Sequence, residues 1–352
     1  MRVSQRGTTM VCPASGCYVL DRSLVYSYPG NIITGNQLTL TSIDTPFSAG
    51  FTHAFQAIVT TANGAGIAFM EQIIEGNNIS DFMWGSKSGV PIVVSLWIKT
   101  NMATGSLSSI VIKSGLSWSY CAQYTVANSG AWQYVKVSVP QPPTGSSWGT
   151  GTSSGIRVCW GASWPGNTIS PNTWGATNTY TPTGESETFY ATLGNYFTVT
   201  GIQLEKGTLA TPFEFRPFAV ELQLCQRYYQ QFKVTSTNTP VQLGWCMAGS
   251  TKHALGSIVM QGNMRTSTPN LISSSAGSTA YSSGHAVSQT DLLLFNALTS
   301  TGIAMANFYG FNCAQNNVLP IQFADNEDKL TAGQMYYIYV TNGGSFALSA
   351  EL

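Results

Sequence analysis

The amino-acid sequence predicts an all-β protein: a β-sandwich, a short linking helix, and a second, smaller β-sandwich-like domain. Three observations predict it. Alternating or β-branched runs recur along the chain, clusters of Gly, Ser, Asn and Pro separate them at intervals of roughly ten residues, and only one stretch has a helical period.

The elements follow in order. Residues 92–98 are apolar at nearly every position, the pattern of a strand inside a sheet covered on both faces. Val135-Lys136-Val137-Ser138-Val139 alternates and predicts a half-buried strand with a valine face. Residues 141–183 are rich in Pro, Gly, Ser, Thr and Trp and read as long loops around one or two strands, including residues 156–160. Loops on a rigid scaffold are where binding function concentrates. Residues 197–204 read as extended and are rich in β-branched side chains. Pro217 suits a first helical turn, and Val220, Leu224, Tyr228 and Phe232 then recur every fourth residue. A helix is therefore expected within 217–232. The implied organisation is a sandwich over 1–215, the helix over 216–232 and a C-terminal β domain over 233–352. In that last part residues 334–340 are strongly β-prone, and Asn342-Gly343-Gly344 predicts a hairpin turn. Phe346, Leu348, Ala350 and Leu352 then alternate, which ties the C-terminus into a sheet. Residues 266–289, almost all Ser, Thr, Gly, Ala and Asn, read as an exposed loop.

Composition excludes several classes of function. Only 9% of residues are charged, against about 25% in ordinary domains. Lys plus Arg and Asp plus Glu are 15 each, so no basic surface exists to neutralise phosphates, and no nucleic-acid partner is expected. At 43% hydrophobic the chain has ample apolar surface to fold. Its longest apolar runs, residues 89–98 and 291–298, fall well short of the roughly 20 residues of a membrane-spanning helix. The opening residues have no long apolar core, so no secretory signal is expected. The seven cysteines are irregularly spaced with no C-x-x-C pair, which predicts reduced, mostly buried thiols and leaves a Cys12–Cys17 bridge open.

Catalytic patterns are sparse. His53, His253 and His285 share no metal-ligand spacing. Gly145-Ser146-Ser147-Trp148-Gly149 matches G-x-S-x-G, but it sits in a Pro/Gly/Ser loop with no helical pattern after it. Glu71, Glu75 and Asp81 read as carboxylates at a sandwich edge rather than an acid/base pair. Asp325-Asn326-Glu327-Asp328 lacks the glycine of a calcium loop and reads as a solvated turn. The expectation is a non-enzymatic chain with no cofactor and no metal site built from its motifs.

Tryptophan is the unusual feature. Trp148, Trp160, Trp164 and Trp174 fall within the loop-rich stretch. Trp160 lies in a strand-like run and is expected in the core. Trp148, Trp164 and Trp174 are flanked by Gly, Pro, Ser and Asn, and are the candidates for stacking on sugar rings; burial in the core is the competing reading. The stripe Val220, Leu224, Tyr228 and Phe232 is the candidate self-association interface, with packing against the first sandwich as its alternative.

A family resemblance rests on a continuous block: TFY at 188–190, FTVTGIQLEKG at 197–207, ATPFEFRP at 210–217 and ELQLCQRYY at 221–229. It resembles a signature of bacteriophage tail-fibre and related virion structural proteins. RVSQRGT at 2–8 with Tyr18, Asp21 and Arg22, QIIEGNNISD at 72–81, VSLWIK at 94–99 and the terminal SAEL resemble further segments of that family, which together cover residues 1–232. Ser4 and Ser23 stand where the family has tryptophan, so that corner must repack. The resemblance implies a carbohydrate-binding-module-like jelly roll, a virion location after assembly in the host bacterial cytoplasm, a homotrimer, and contacts with other virion proteins. Longer relatives in this family carry an upstream docking segment, and this chain is expected to attach through its sandwich, its helix or its second domain, or through an adaptor. The implied function is a tail-fibre or spike subunit that binds host surface glycans. The alternative is a capsid or tail decoration with purely structural contacts. A structural calcium ion in the first sandwich is also compatible with the resemblance.

Overall fold

The computed structural model describes residues 2–12, 16–27, 30–62, 67–115, 117–186, 188–233, 241–266, 270–273, 277–279, 292–296, 301–303, 307–310, 318–325, 327–340 and 345–351. The chain forms two units, Met1–Phe218 and Ala219–Glu351.

In the first unit the strands run in chain order as β1 (Thr9–Cys12), β2 (Cys17–Leu20), β3 (Ser23–Ser27), β4 (Ile32–Thr39), β5 (His53–Thr61), β6 (Ala68–Glu75), β7 (Ile92–Thr100), β8 (Leu107–Ser114), β9 (Trp118–Thr125), β10 (Gln133–Val139), β11 (Ser154–Ser163), β12 (Thr168–Ile169), β13 (Trp174–Gly175), β14 (Thr181–Pro182) and β15 (Tyr196–Lys206), with one helical turn, α1 (Thr45–Ser48), between β4 and β5. Among the described residues they build two main sheets, ordered β1-β4-β5-β15-β7-β10 and β13-β9-β8-β11-β6-β3-β2. Their facing surfaces share one core that includes Phe55, Met70, Ile92, Val94, Ile112, Trp160 and Phe197. This is a jelly-roll β-sandwich, and the expected all-β class holds. The apolar run at 92–98 is β7, an interior strand between β15 and β10, and the valine alternation at 135–139 is β10 with Val135, Val137 and Val139 buried. Trp160 is fully buried in the core, as its strand position predicts.

The signature block works as a latch. Gln203 and Glu205, at the end of β15, reach forward to the segment that follows. Gln203 Oε1 accepts from the Glu214 backbone N–H at 2.8 Å, and Glu205 Oε2 from that of Thr211 at 3.1 Å. Phe213 and Phe215 then pack on Phe51 at ring-centroid distances of 4.9 and 5.1 Å. Gly201 has φ +63°, and a Cβ there would lie 2.5 Å from the Phe51 ring, so glycine is required at that position.

In the second unit, helix α2 spans Phe218–Gln226. The strands that follow are β16 (Tyr229–Lys233), β17 (Val241–Ala248), β18 (His253–Val259), β19 (Asn270–Ser273), β20 (Gly277–Thr279), β21 (Leu292–Asn296), β22 (Thr301–Ile303), β23 (Asn307–Gly310), β24 (Val318–Ala324), β25 (Met335–Val340) and β26 (Ser345–Ser349). Among the described residues they form a four-stranded sheet, β16-β26-β19-β20, and a seven-stranded sheet, β22-β21-β25-β17-β18-β24-β23. A second core joins Leu243, Cys246, Ile258, Leu294, Ile321, Phe323, Tyr336, Ile338 and Leu348.

Five expectations need correction. The helix stops at Gln226, because the Gln230 side chain donates to the carbonyls of Gln226 and Gly262 at 3.1 and 2.8 Å, and Tyr229–Lys233 pairs with β26. β25 and β26 are not a hairpin: β25 pairs with β17 and β21, whereas β26 crosses to the other sheet between β16 and β19. The C-terminal residues are tied into a sheet as expected, but Ala347, Leu348, Ser349 and Ala350 are buried in succession rather than alternately. Within 266–289 two strands form, because Leu271 and Ile272 add a short apolar segment that pairs with β26. Finally, Cys12 and Cys17 are joined as a disulfide, their Cα atoms 5.7 Å apart on adjacent strand ends, while Cys121, Cys159, Cys225 and Cys246 are buried thiols. Cys313, His285, the remainder of 266–289 and the turn Asn342-Gly343-Gly344 lie outside the described residues.

Gly161 tests the packing of the first core. It has φ +54°, and a Cβ there would lie 2.6 Å from Met70 and 2.9 Å from Phe197. Gly161→Ala adds a left-handed backbone cost to an overpacked core, and is expected to lower unfolding stability by about 2–4 kcal/mol, read from denaturant midpoints.

Candidate functional site

The loop-rich stretch delivers its tryptophans to two separate places. Trp148 and Trp174 meet at one edge of the first core, together with Trp84, which sequence reasoning did not single out. The three rings make mutual edge-on contacts, with centroids 4.5 Å apart for Trp84–Trp148, 5.8 Å for Trp84–Trp174 and 5.7 Å for Trp148–Trp174. Each indole N–H is already satisfied. Trp84 donates to Val90 O at 2.7 Å, Trp148 to Ser146 Oγ at 2.9 Å and Trp174 to Pro140 O at 3.0 Å. All three are half-buried, so what remains open to solvent is apolar ring surface. Trp174 is set by the sheet itself, since β13 pairs it with Tyr120 on β9.

Trp164 lies elsewhere, on the outer face of the seven-stranded sheet. There it belongs to a parallel stack with Tyr26, Phe69 and Tyr180, the Phe69–Tyr180 centroids 4.2 Å apart and the Trp164–Tyr180 centroids 5.1 Å apart. The segment 164–186 folds over this outer face, so the sheet is buried on both sides. Beneath that cover sit charged side chains: Lys113 on β8, Arg157 on β11 and Glu71 on β6. Arg157 bonds Glu71 at 3.0 Å, and the Cys159 thiol donates to the other Glu71 oxygen at 3.4 Å. Burial pushes Glu71 above the usual carboxylate range, with Arg157 opposing it. Burial also pulls Lys113 down to about 8 and pushes the Cys159 and Cys121 thiols up. At the end of the same segment Ser109 donates to Glu185 at 3.3 Å, and burial pushes Glu185 up to about 8.

The stripe Val220, Leu224, Tyr228 and Phe232 is not one surface. Val220 and Leu224 are exposed on α2, Tyr228 is buried beyond the helix, and Phe232 lies on β16 against the second core. An exposed apolar surface is found instead on the outer face of the second unit's seven-stranded sheet. Met335, Met247 and Leu255 are register partners in one row, Tyr337, Trp245, Ser257 and Pro320 in the next, and Val259 with Val318 in a third. Trp245, Met247, Leu255, Val259 and Met335 are each about half exposed or more, from 49% to 65%. The signal for this surface is that residues 241–248 and 335–340 are apolar at nearly every position, as in strands covered on both faces.

Among the described residues, no group of three or more His, Cys, Asp or Glu side chains is placed to hold a metal ion, and no helix is long and apolar enough to cross a membrane. In the G-x-S-x-G sequence the motif serine, Ser147, is exposed, and its neighbour Ser146 is buried and accepts from the Trp148 indole. Asp325, expected in a solvated turn, is buried and bonded by Lys329 at 2.8 Å.

No family model and no curated protein matches the sequence. Among solved structures, an arabinose-bound α-L-arabinofuranosidase is similar over 56% of this chain and 25% of its own, at 9% identity and a TM-score of 0.32. The enzymatically active domain of tailspike protein 4 of bacteriophage CBA120 is similar over 56% and 19%, at 10% identity and a TM-score of 0.26. The family 11 carbohydrate-binding module of a Clostridium thermocellum cellulosomal cellulase is similar over 56% and 99%, at 11% identity and a TM-score of 0.27. The chain thus spans a quarter or less of the length of the first two.

Glu185 gives this site a pH signature. Its folded value, about 8 against an ordinary 4.5, means that the folded state holds a proton that the unfolded chain releases. Its contribution to stability is therefore present below pH 4.5 and lost as pH rises toward 8. Facing it are Ser109, Gln123, Cys121 and Tyr124. Glu185→Gln is expected to raise the melting temperature at pH 8 and leave it nearly unchanged at pH 4, measured by thermal denaturation at both.

Proposed function

We propose that this chain is a non-enzymatic structural subunit of a tailed bacteriophage particle, of tail-fibre or spike type, that works as an oligomer. The observation that carries this reading is the apolar outer face around Trp245, Met247, Leu255, Val259 and Met335. A monomer in water seldom leaves adjacent strands with so much contiguous apolar area. The rows of that face carry no charged side chain, which suits contact with further copies of the same chain. The resemblance of residues 188–229 to phage virion proteins supports the same reading, and so does the latch that those residues form, which is a purely structural role.

A second property is favoured by the Trp84–Trp148–Trp174 rim, which we propose as the surface that meets host glycans. Its indole N–H groups are bonded internally, so the rings offer apolar faces to the C–H surfaces of a sugar, and neighbouring Ser, Thr and Asn side chains offer hydrogen bonds. Trp164 lies in a packed stack under no such demand and is assigned to structure. A decoration role without glycan contact would leave the rim as core edging alone.

Two measurements test these assignments. Sedimentation equilibrium is expected to give an oligomer, a trimer by family resemblance, and Trp245→Glu with Val259→Lys is expected to reduce it to a folded monomer. A wild-type chain that stays monomeric at high concentration contradicts the assembly reading. Binding to host cells is expected to fall at least tenfold in Trp148→Ala and Trp174→Ala chains that keep their circular dichroism, a loss of about 1.4 kcal/mol or more. Unchanged binding removes the rim from the account.

A further inference from the structure

Lys113 is fully buried, yet the side chain it donates to is not a carboxylate. Its Nζ donates to the side-chain oxygen of Asn178 and sits 3.0 Å from the centroid of the Tyr180 ring. The buried carboxylate that acts on it, Glu71, is already bonded by Arg157 and Cys159. A buried ammonium facing a neutral amide is a costly arrangement. An aspartate at position 178 would have made an ordinary ion pair.

The surroundings hold the amide in place. Ser119, the register partner of Lys113 on β9, donates to Thr177 O at 2.7 Å and accepts from the Thr179 N–H at 3.0 Å. One hydroxyl therefore clamps the residues on either side of Asn178. Asn167 donates to the Asn178 carbonyl at 2.9 Å and fixes its backbone. The amine and the carboxamide carbon are thus pre-positioned, which can replace much of the entropic barrier of a bimolecular reaction.

We propose that Lys113 and Asn178 become joined by an intramolecular isopeptide bond. The neutral lysine nitrogen attacks Cγ of Asn178, forming the new C–N bond. The bond from Cγ to Nδ2 then breaks, the proton shed by the lysine nitrogen passes to the departing Nδ2, and ammonia leaves. Lysine amine plus asparagine amide give one secondary amide and one ammonia, so atoms balance and no oxidant is needed. Burial favours the uncharged, nucleophilic amine, and Glu71, the buried carboxyl that acts on that amine and is itself pushed upward by burial, is the group proposed to relay the proton between the two nitrogens. Cys159, Cys121, Arg157 and Tyr180 are the other titratable groups facing the amine. The product ties the covering segment 164–186 covalently to β8 and removes the buried charge.

Mass spectrometry of the full chain, denatured and with the Cys12–Cys17 disulfide reduced, decides the proposal. The expected mass is one ammonia below that of the sequence, and protease digestion should release a branched peptide linking Lys113 to Asn178. Lys113→Met and Asn178→Ala should keep their full mass, Asn178→Asp should lose water instead of ammonia, and Glu71→Gln should fold but remain largely uncoupled. A folded wild-type chain at full mass overturns the proposal, whether or not the variants fold. Loss of ammonia without the branched peptide, as from a succinimide, overturns it equally.

Discussion

The outer face of the first unit's seven-stranded sheet carries Lys113 and Glu71 out of contact with water, with Arg157 partly buried beside them, and the architecture around that face follows from the need to enclose them. A charged side chain on a solvated sheet face would need no company. Under a covering segment it needs an ion pair, a hydrogen bond or an aromatic ring at each open valence. Arg157 and Glu71 supply the ion pair, Asn178 and Tyr180 receive the lysine, and Ser119 anchors the cover. The stack of Tyr26, Phe69, Tyr180 and Trp164 then fills the space beside them. The long stretch 164–186, nearly free of charged residues, is thus a cover over the sheet rather than a free loop.

The same accounting separates the tryptophans by role. Trp160 is enclosed on the inner face of one sheet, and half-buried Trp164 stacks on its outer face. Trp84, Trp148 and Trp174 close the edge of the core while keeping ring surface in water. In the second unit the balance is reversed: one face of its larger sheet builds a core around Ile258, Ile321 and Ile338, and the other leaves Trp245, Met247 and Val259 uncovered. That asymmetry between the two faces of one sheet is the basis of the assembly proposed above.

Much of the strand framework was legible because periodicity is local. Residues 92–98 and 135–139 state in their own pattern how many faces are buried. The helix was half legible. Its start follows from Pro217, but Tyr228 and Phe232 fit both a four-residue period and the alternation of Tyr229–Lys233, and only pairing with β26 separates the two. The β25–β26 hairpin failed for a similar reason, since a turn sequence predicts reversal of the chain and not which sheet the next strand joins. The ionic cluster was not legible at all. Glu71, Lys113, Arg157 and Asn178 lie on four distant segments, and nothing near any one of them signals the others. Of the candidate site, Trp148 and Trp174 were found by their loop context, whereas Trp84 was missed because it stands alone in its stretch.

The central claim is that the exposed apolar face of the second unit is covered when the protein is at work. Hydroxyl-radical footprinting reads it directly, because Trp245, Met247 and Met335 are among the most oxidisable side chains on that face. The account predicts that all three oxidise readily in the dissociated chain and are shielded in the assembled particle, while exposed residues of the first unit such as Met83 react alike in both. Equal oxidation of Trp245, Met247 and Met335 in the two states would contradict it.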